Sequence, residues 1–181
     1  MTNMTSPLII LDRDGTINIR KIDGYVMSIE NVSIPYSLTK TLIQSLIKHR
    51  FLNFAFVTNQ SCIGKGLITY EQSELVTEFA IKKFLNGNQS FNYNIYICPH
   101  IKEDNCSCRK PRTKLLEKAI IDFNADIINT WFIGDSDSDK EAADSLDIQF
   151  LQVCLNPDLC SIKHCFHDPI SAILNILNSK M

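Results

Sequence analysis

The hydrophobic positions of the chain follow two patterns that alternate along its length. Short apolar runs recur, and between them apolar residues are spaced three and four positions apart. Unbroken apolar runs are typical of strands buried on both faces, whereas the wider spacing is typical of helices that bury one face. The alternation predicts an α/β fold with a Rossmann-like, doubly wound, mainly parallel sheet flanked by helices.

The pattern predicts five strands and four helices. The strands are expected at residues 8–11, 54–57, 94–98, 131–133 and 149–153. The first helix should end near Arg50 and use Leu38, Leu42, Ile43, Leu46 and Ile47 as its apolar face. Thr69 and Gln72 form a capping box that opens the second helix, whose apolar face begins with Leu75, Val76 and Phe79. Two further helices are expected around residues 115–123 and 170–177.

Residues 19–37 form the longest stretch with little regular pattern. Loops of this length in a compact domain are often functional. The stretch is too short for a separate cap domain, and no linker or repeat divides the chain. We therefore expect a single domain over residues 1–181, with an open site bordered by loops.

Composition excludes several classes of protein. The 181 residues are 45% hydrophobic and 21% charged, with a net charge of -2, which is ordinary for a globular domain and lacks the basic surface that nucleic-acid binding needs. No apolar run approaches the roughly 18 residues of a membrane helix. Residues 1–7 are polar and do not read as a signal peptide. We expect a cytoplasmic monomer with no nucleic-acid or membrane partner.

Four of the potential metal ligands lie close together. Cys98, His100, Cys106 and Cys108 can close a tetrahedral Zn²⁺ site, and they leave no open position, so the site should be structural. The bound ion would fix the conformation of a loop that ends at Arg109 and Lys110. Chance clustering of buried cysteines is the alternative. A second group, Cys160, His164, Cys165 and His167, has irregular spacing and is a weaker metal candidate.

Two carboxylates follow the first strand. Asp12 and Asp14 are separated by one residue and followed by Gly15, which favours a tight turn. An aspartate at the carboxyl end of a central parallel strand projects into the crevice where such sheets bind ligands. Two such side chains can divide nucleophilic and proton-transfer work. A polar turn without chemistry is the alternative.

Further polar groups follow later strands. Thr58 and Asn59 can donate hydrogen bonds to a phosphoryl oxygen, and Arg109 and Lys110 can neutralise its charge. Each pair alone also fits an ordinary strand-end turn. Asp135 follows the fourth strand. With Asp12 and the Asp14 backbone carbonyl it would supply the oxygen ligands that Mg²⁺ prefers, while Asp139 could orient Lys110 or a metal-bound water.

In combination, these motifs resemble the haloacid dehalogenase superfamily of phosphohydrolases. The likeness is greatest to its zinc-containing heptose-bisphosphate and histidinol-phosphate phosphatases. The resemblance implies that Asp12 is the nucleophile and Asp14 the general acid/base. It further implies phosphate-binding roles for Thr58 and Lys110, a Mg²⁺-ligand role for Asp135, and Zn²⁺ binding by the Cys98–His100–Cys106–Cys108 group.

The substrate expected from this resemblance is a small phosphorylated sugar or metabolite. Gly24, Tyr25 and the stretch 58–66 are more similar to D-glycero-D-manno-heptose-1,7-bisphosphate 7-phosphatase, whereas residues 98–114 are equally similar to the histidinol enzyme. Cys62 and Ser136 depart from the usual glycine and basic residue of these relatives. A histidinol-phosphate phosphatase and a non-catalytic phosphosugar-binding relative are the alternatives, and a nucleic-acid end-processing phosphatase is disfavoured.

Overall fold

The computed structural model describes residues 6–21, 24–155 and 165–180. Its described residues form a five-stranded parallel sheet with the order β3-β2-β1-β4-β5. The strands are β1 (Leu8–Leu11), β2 (Asn53–Asn59), β3 (Asn92–Cys98), β4 (Thr130–Gly134) and β5 (Gln149–Gln152).

Six helices connect or follow these strands: α1 (Lys40–Lys48), α2 (Ser61–Gly64), α3 (Tyr70–Phe84), α4 (Lys114–Asp122), α5 (Asp137–Asp144) and α6 (Pro169–Ser179). Short 3-10 turns occur at Ile29–Asn31, Lys102–Asp104 and Ile127–Asn129.

Strand β1 lies at the centre of the sheet and is buried on both faces, as its unbroken apolar run predicts. Successive side chains of a strand point to opposite faces. Ile9 and Leu11 therefore join the core cluster under α1, α3 and α6, while Leu8 and Ile10 join the cluster under α4 and α5. The predicted α/β architecture, with helices on both faces of a parallel sheet, is confirmed.

Among the α-helices of the described residues, two begin with a complete capping box. The predicted box at Thr69 and Gln72 opens α3. A second box joins Ser136 and Asp139 at the start of α5, a helix that hydrophobic spacing alone does not predict. Because a capping box fixes where a helix begins, it also fixes the direction in which Asp139 points.

Several details of the predicted helices are wrong. Helix α1 ends at Lys48, close to the predicted end near Arg50, but Leu38 precedes the helix and is buried outside it. Ile47 is 40% exposed and Leu75 is 63% exposed. The core-facing stripes of α1 and α3 are thus narrower than the apolar spacing suggests, because only residues that face the sheet are covered.

The loop over residues 19–37 contains only the Ile29–Asn31 turn among its described residues. The strand order reverses between β1 and β4, since β2 and β3 lie on one side of β1 and β4 and β5 on the other. Ligands of open α/β sheets bind in the crevice outside the carboxyl ends of strands at such a point. None of the helices in the described ranges is both long and apolar enough to cross a membrane.

Candidate active site

A cavity of about 300 Å³ opens at the carboxyl ends of β1 and β2. Most of the polar residues predicted for a site line it, although they come from distant parts of the sequence. They are Asp12, Asp14, Thr58, Asn59, Arg109 and Lys110.

Asp12 and Lys110 form a buried ion pair at the base of this cavity. Lys110 Nζ lies 2.7 Å from Asp12 Oδ1 and 2.6 Å from Asp139 Oδ1, and it also donates to the carbonyl oxygen of Val57 at 2.8 Å. Asp12 is only 5% exposed, so the nucleophile expected from the sequence is nearly enclosed. Lys110 is shared between two carboxylates and cannot rotate away without leaving one of them unpaired.

Burial and the opposite charge of the partner shift the pKa values of Asp12 and Lys110 in opposite directions. Burial raises the pKa of Asp12 to about 6, although Lys110 acts in the opposite direction. Burial alone would lower the pKa of Lys110, but the attraction of Asp12 and Asp139 outweighs it and the pKa is raised. Lys110 therefore stays charged, as a group that neutralises a phosphoryl oxygen must.

Asp14 is held by three side chains that the sequence alone did not point to. Arg13 donates to both carboxylate oxygens, at 3.0 and 2.6 Å. Asn18 Nδ2 and Gln60 Nε2 add bonds of 3.0 and 3.1 Å. Arg13 is itself buried and donates hydrogen bonds to the Thr77 hydroxyl and to the side-chain oxygen of Gln60, which fix its position. These donors orient the Asp14 carboxylate at the edge of the cavity.

Thr58 and Asn59 end β2 beside this network. The Thr58 hydroxyl accepts a hydrogen bond from Gln60 Nε2 at 2.8 Å, which leaves its own proton free to be donated. The Asn59 side chain bonds both backbone groups of Lys110, accepting from its N–H at 3.0 Å and donating to its carbonyl at 3.2 Å. Asn59 thus holds the loop that carries Lys110, in addition to lining the cavity.

The residues present fit a divalent cation with hard oxygen ligands. Carboxylate oxygens of Asp12, Asp135 and Asp139 lie within 4.8 Å of one another. Gly15 has φ +96°, and a Cβ there would lie 2.0 Å from Asp135 Oδ2, so only glycine lets the turn approach this carboxylate. Burial raises the pKa of Asp135 to about 7, and repulsion from Asp12 adds to the effect. A divalent cation would offset the mutual repulsion of these carboxylates, in addition to their contacts with Lys110 and Arg20.

The cysteine and histidine group is brought together as predicted. Five of the six distances between ligand atoms run from 3.2 Å, between His100 Nδ1 and Cys108 Sγ, to 3.7 Å, between the Sγ atoms of Cys98 and Cys106, and all lie within 4.8 Å. Four ligands around a tetrahedral Zn²⁺, with Zn–S near ~2.3 Å, would be separated by roughly these distances. A disulfide would need sulfurs about 2 Å apart. The group fits a structural zinc ion.

Some predicted residues lie elsewhere. Lys65, within the stretch 58–66, does not line the cavity; its Nζ atom lies 5.3 Å from the ring centroid of Tyr25, which does. Ser136 lines the cavity but serves as the N-cap of α5. Of the second cysteine and histidine group, Cys160 and His164 lie outside the described residues.

Two arginines were missed by the sequence analysis. Arg13 lies two residues after the end of the buried strand β1, and a charge at such a position requires a buried partner. A charged residue so close to a buried strand could therefore have indicated that Arg13 belongs to the site. Arg20 lies in the long loop, where no sequence pattern indicates its direction. Its Nη2 atom donates to the Asp14 carbonyl at 3.1 Å and to Asp135 Oδ1 at 3.0 Å.

A parallel sheet with acids at the ends of β1 and β4 and a lysine beside them is the arrangement expected for the haloacid dehalogenase superfamily. A HAD-hydrolase-like family model matches residues 107–154. The structure also superposes on a heptose 1,7-bisphosphate phosphatase from B. bronchiseptica, solved with magnesium and phosphate, with a TM-score of 0.75. That match has 22% identity and covers 96% of this chain and 99% of the other.

Two sequence comparisons narrow the assignment. The chain is 37% identical over 141 residues to a D-glycero-beta-D-manno-heptose-1,7-bisphosphate 7-phosphatase of Neisseria meningitidis, covering 77% of this chain and 72% of that protein. It is 34% identical over 168 residues to the histidine biosynthesis bifunctional protein HisB of Legionella pneumophila, covering 93% of this chain but 45% of HisB. The chain belongs to the haloacid dehalogenase superfamily of phosphatases, in the family of these heptose-bisphosphate enzymes.

Proposed function

We propose that this chain is a Mg²⁺-dependent phosphomonoester hydrolase whose substrate is D-glycero-D-manno-heptose 1,7-bisphosphate, cleaved at the 7-phosphate. The observation that carries the reaction class is the buried Asp12–Lys110–Asp139 arrangement beside Asp135. It combines a nucleophile, a fixed positive charge and oxygen ligands at one strand end.

Asp12 is the proposed nucleophile. Lys110 holds Oδ1, so Oδ2 is the oxygen that attacks phosphorus and forms an aspartyl-phosphate, while the bond from phosphorus to the sugar oxygen breaks. Lys110 and the Thr58 hydroxyl are suited to meet the phosphoryl oxygens. Bound through Asp12, Asp135 and the Asp14 carbonyl, Mg²⁺ would neutralise part of the charge on the transferring group.

Asp14 is the proposed general acid and base. It gives a proton to the departing sugar oxygen and then takes one from the water that hydrolyses the aspartyl-phosphate, which releases inorganic phosphate and restores Asp12. Its carboxylate accepts four hydrogen bonds, two from Arg13 and one each from Asn18 and Gln60. To carry a proton, Asp14 must give up at least one of them.

Charge in the cavity favours a bisphosphate as substrate. Arg20, Lys21 and Arg109 line the cavity, and among its described lining residues the carboxylates are Asp12 and Asp14 alone. Both of these have roles in the chemistry. A second phosphate would therefore meet cations, whereas the amine of histidinol phosphate would meet no free acid among the described residues.

We further propose that the Cys98–His100–Cys106–Cys108 group holds Zn²⁺ in a structural role, and that one domain accounts for the chain. The zinc loop supplies Arg109, whose guanidinium donates to the His100 carbonyl at 3.2 Å. Substrate binding would thus depend on the zinc ion indirectly.

Phosphate release from heptose 1,7-bisphosphate and from histidinol phosphate, with and without Mg²⁺, tests this function. We expect Mg²⁺-dependent turnover with the larger kcat/KM for the bisphosphate, and a loss on the order of 10⁴-fold or more in Asp12→Asn. Reductive trapping of the acid-quenched enzyme should modify Asp12. Substantial turnover by the folded Asp12→Asn variant would exclude the covalent mechanism. A larger kcat/KM for histidinol phosphate would exclude the heptose assignment in favour of the second candidate.

A further inference from the structure

Arg20 contacts oxygen atoms that the proposed metal site also uses. Its Nη2 atom lies 3.1 Å from the Asp14 carbonyl oxygen and 3.0 Å from both carboxylate oxygens of Asp135. The Arg20 side chain is 55% exposed and lines the cavity. Arg20 is therefore a cation on the cavity wall, placed directly on two of the three proposed Mg²⁺ ligands.

An arginine and a divalent ion compete for such oxygens. The guanidinium is always charged, and its bonds to the carbonyl and to Asp135 use the lone pairs that would point at a metal. Exposed ion pairs contribute little stability, so Arg20 can leave Asp135 at low cost. Lys110 differs, because its ammonium is buried between Asp12 and Asp139 and has no solvent to move into.

We propose that Arg20 yields the Asp14 carbonyl and Asp135 to Mg²⁺ and then binds the substrate's second anionic group, the one remote from the phosphate being cleaved. This proposal rests on the function proposed above and names a residue that determines specificity within it. A guanidinium can bind a phosphate through two parallel hydrogen bonds, which gives direction as well as charge.

The other cations of the wall are less suited to this role. Arg109 donates to the His100 carbonyl of the zinc loop, and Lys21 donates to Asn31 Oδ1 at 2.6 Å. Neither contacts a group that a metal would take over. Arg20 is the cation whose position would change with metal binding. Mg²⁺ would therefore bind first, and the released Arg20 would then bind the second phosphate of the substrate.

Isothermal titration calorimetry with Mg²⁺ alone tests the competition. The zinc-loaded protein is compared with Arg20→Gln and with Lys21→Gln, a control that removes one charge from the neighbouring position without touching Asp135. We expect Arg20→Gln to bind Mg²⁺ more tightly by about 3–10-fold, a modest factor because Arg20 is exposed, and more tightly than Lys21→Gln. Equal Mg²⁺ affinity in Arg20→Gln and the unmodified protein would overturn the proposal. Circular dichroism checks that each variant is folded, and Arg20→Met replaces Arg20→Gln if it is not.

Steady-state kinetics at saturating Mg²⁺ test whether Arg20 binds the remote phosphate. The substrates are heptose 1,7-bisphosphate and heptose 7-phosphate, which differ only in the remote phosphate. Arg20→Gln should lower kcat/KM for the bisphosphate by about 10–100-fold, mainly through KM, because a charge-assisted hydrogen bond is lost. The value for the monophosphate should change little, and Arg20→Lys should be intermediate because it keeps the charge but not the paired donors.

An equal loss of kcat/KM for both substrates would show that Arg20 does not bind the remote phosphate, and this would overturn the proposal. If the unmodified protein hydrolyses neither heptose phosphate, the proposed function is wrong, and so is the proposal that Arg20 binds the second phosphate of this substrate. The calorimetry would then still decide whether Arg20 and Mg²⁺ compete, so the two failures are distinguishable.

Discussion

At the scale of single residues, the site is built on carboxylates in contrasting surroundings. Asp12 is buried against one ammonium, which it shares with Asp139. Asp14 is 22% exposed and accepts four hydrogen bonds from neutral and cationic donors. A pair of acids in different environments can perform different steps of one reaction.

Asp14→Asn should separate the proton-transfer step from nucleophilic attack. A sugar oxygen leaves poorly without a proton, so we expect a loss on the order of 10²–10⁴-fold in kcat for the heptose phosphate. The loss should be much smaller for p-nitrophenyl phosphate, whose leaving group needs no proton. Steady-state kinetics with both substrates measure the difference.

Asp12→Asn is the matched control, because the nucleophile is needed for both substrates and its loss should abolish both activities alike. If Asp14→Asn lowers both activities by the same factor, Asp14 acts in some way other than as the acid for the leaving group.

At the scale of elements, the loop between β3 and α4 carries both the proposed zinc ligands and one of the proposed substrate-binding cations. It begins at Cys98, the last residue of β3, and carries His100, Cys106 and Cys108 before Arg109. Burial raises the pKa of the Cys98 thiol, so a thiolate there needs the positive charge of a metal ion. We expect the loop to depend on that ion for its shape.

Cys106→Ser should therefore lose zinc and weaken substrate binding. Elemental analysis should find one Zn²⁺ per chain in the unmodified protein and much less in the variant. KM should rise, because Arg109 loses its support from the His100 carbonyl. We expect a factor of about 10–100 in KM, typical of a disturbed metal site.

Cys62→Ala is the control for this experiment, because it removes a buried thiol outside the cluster and should keep the zinc. Removal of zinc without any change in KM would show that the loop holds its shape without the metal.

At the scale of the whole molecule, stability and metal binding are coupled through pH. Burial raises the pKa of Asp135 to about 7 from an ordinary value of 3.8. The folded chain therefore binds this proton more tightly than the unfolded chain. The stability contributed by Asp135 is present below its ordinary pKa and is lost as the pH rises through about 7.

In Mg²⁺-free buffer, the unmodified protein should lose stability relative to Asp135→Asn as the pH rises from about 5 to about 8. At the upper pH, saturating Mg²⁺ should stabilise the unmodified protein by about 2.7 kcal/mol at a hundredfold excess over Kd. It should stabilise Asp135→Asn much less. Urea unfolding at several pH values measures both effects.

Asp137→Asn provides the comparison, since Asp137 is an exposed carboxylate two residues further along and should show neither effect. A stability difference between Asp135→Asn and the unmodified protein that does not change with pH would show that Asp135 is not protonated in the folded chain.

The sequence by itself determined the features that are local in the chain. An unbroken apolar run predicts β1, a capping box predicts the start of α3, and four ligands within one loop predict the metal cluster. It also determined that polar groups follow β1, β2 and β4. Since parallel strands end at the same edge of a sheet, these groups had to lie near one another.

Only the tertiary structure decided which of those groups contact each other. Asp12 and Lys110 are 98 residues apart, and Arg20 and Asp135 are 115 apart. Arg13, which donates hydrogen bonds to Asp14, is likewise held by the distant residues Thr77 and Gln60. The direction of a side chain depends on the packing of every element around it, and no local pattern records that packing. For this reason the catalytic candidates, and Asp139 as a partner of Lys110, could be predicted from the sequence. Arg20 and the side chains that orient Asp14 could not.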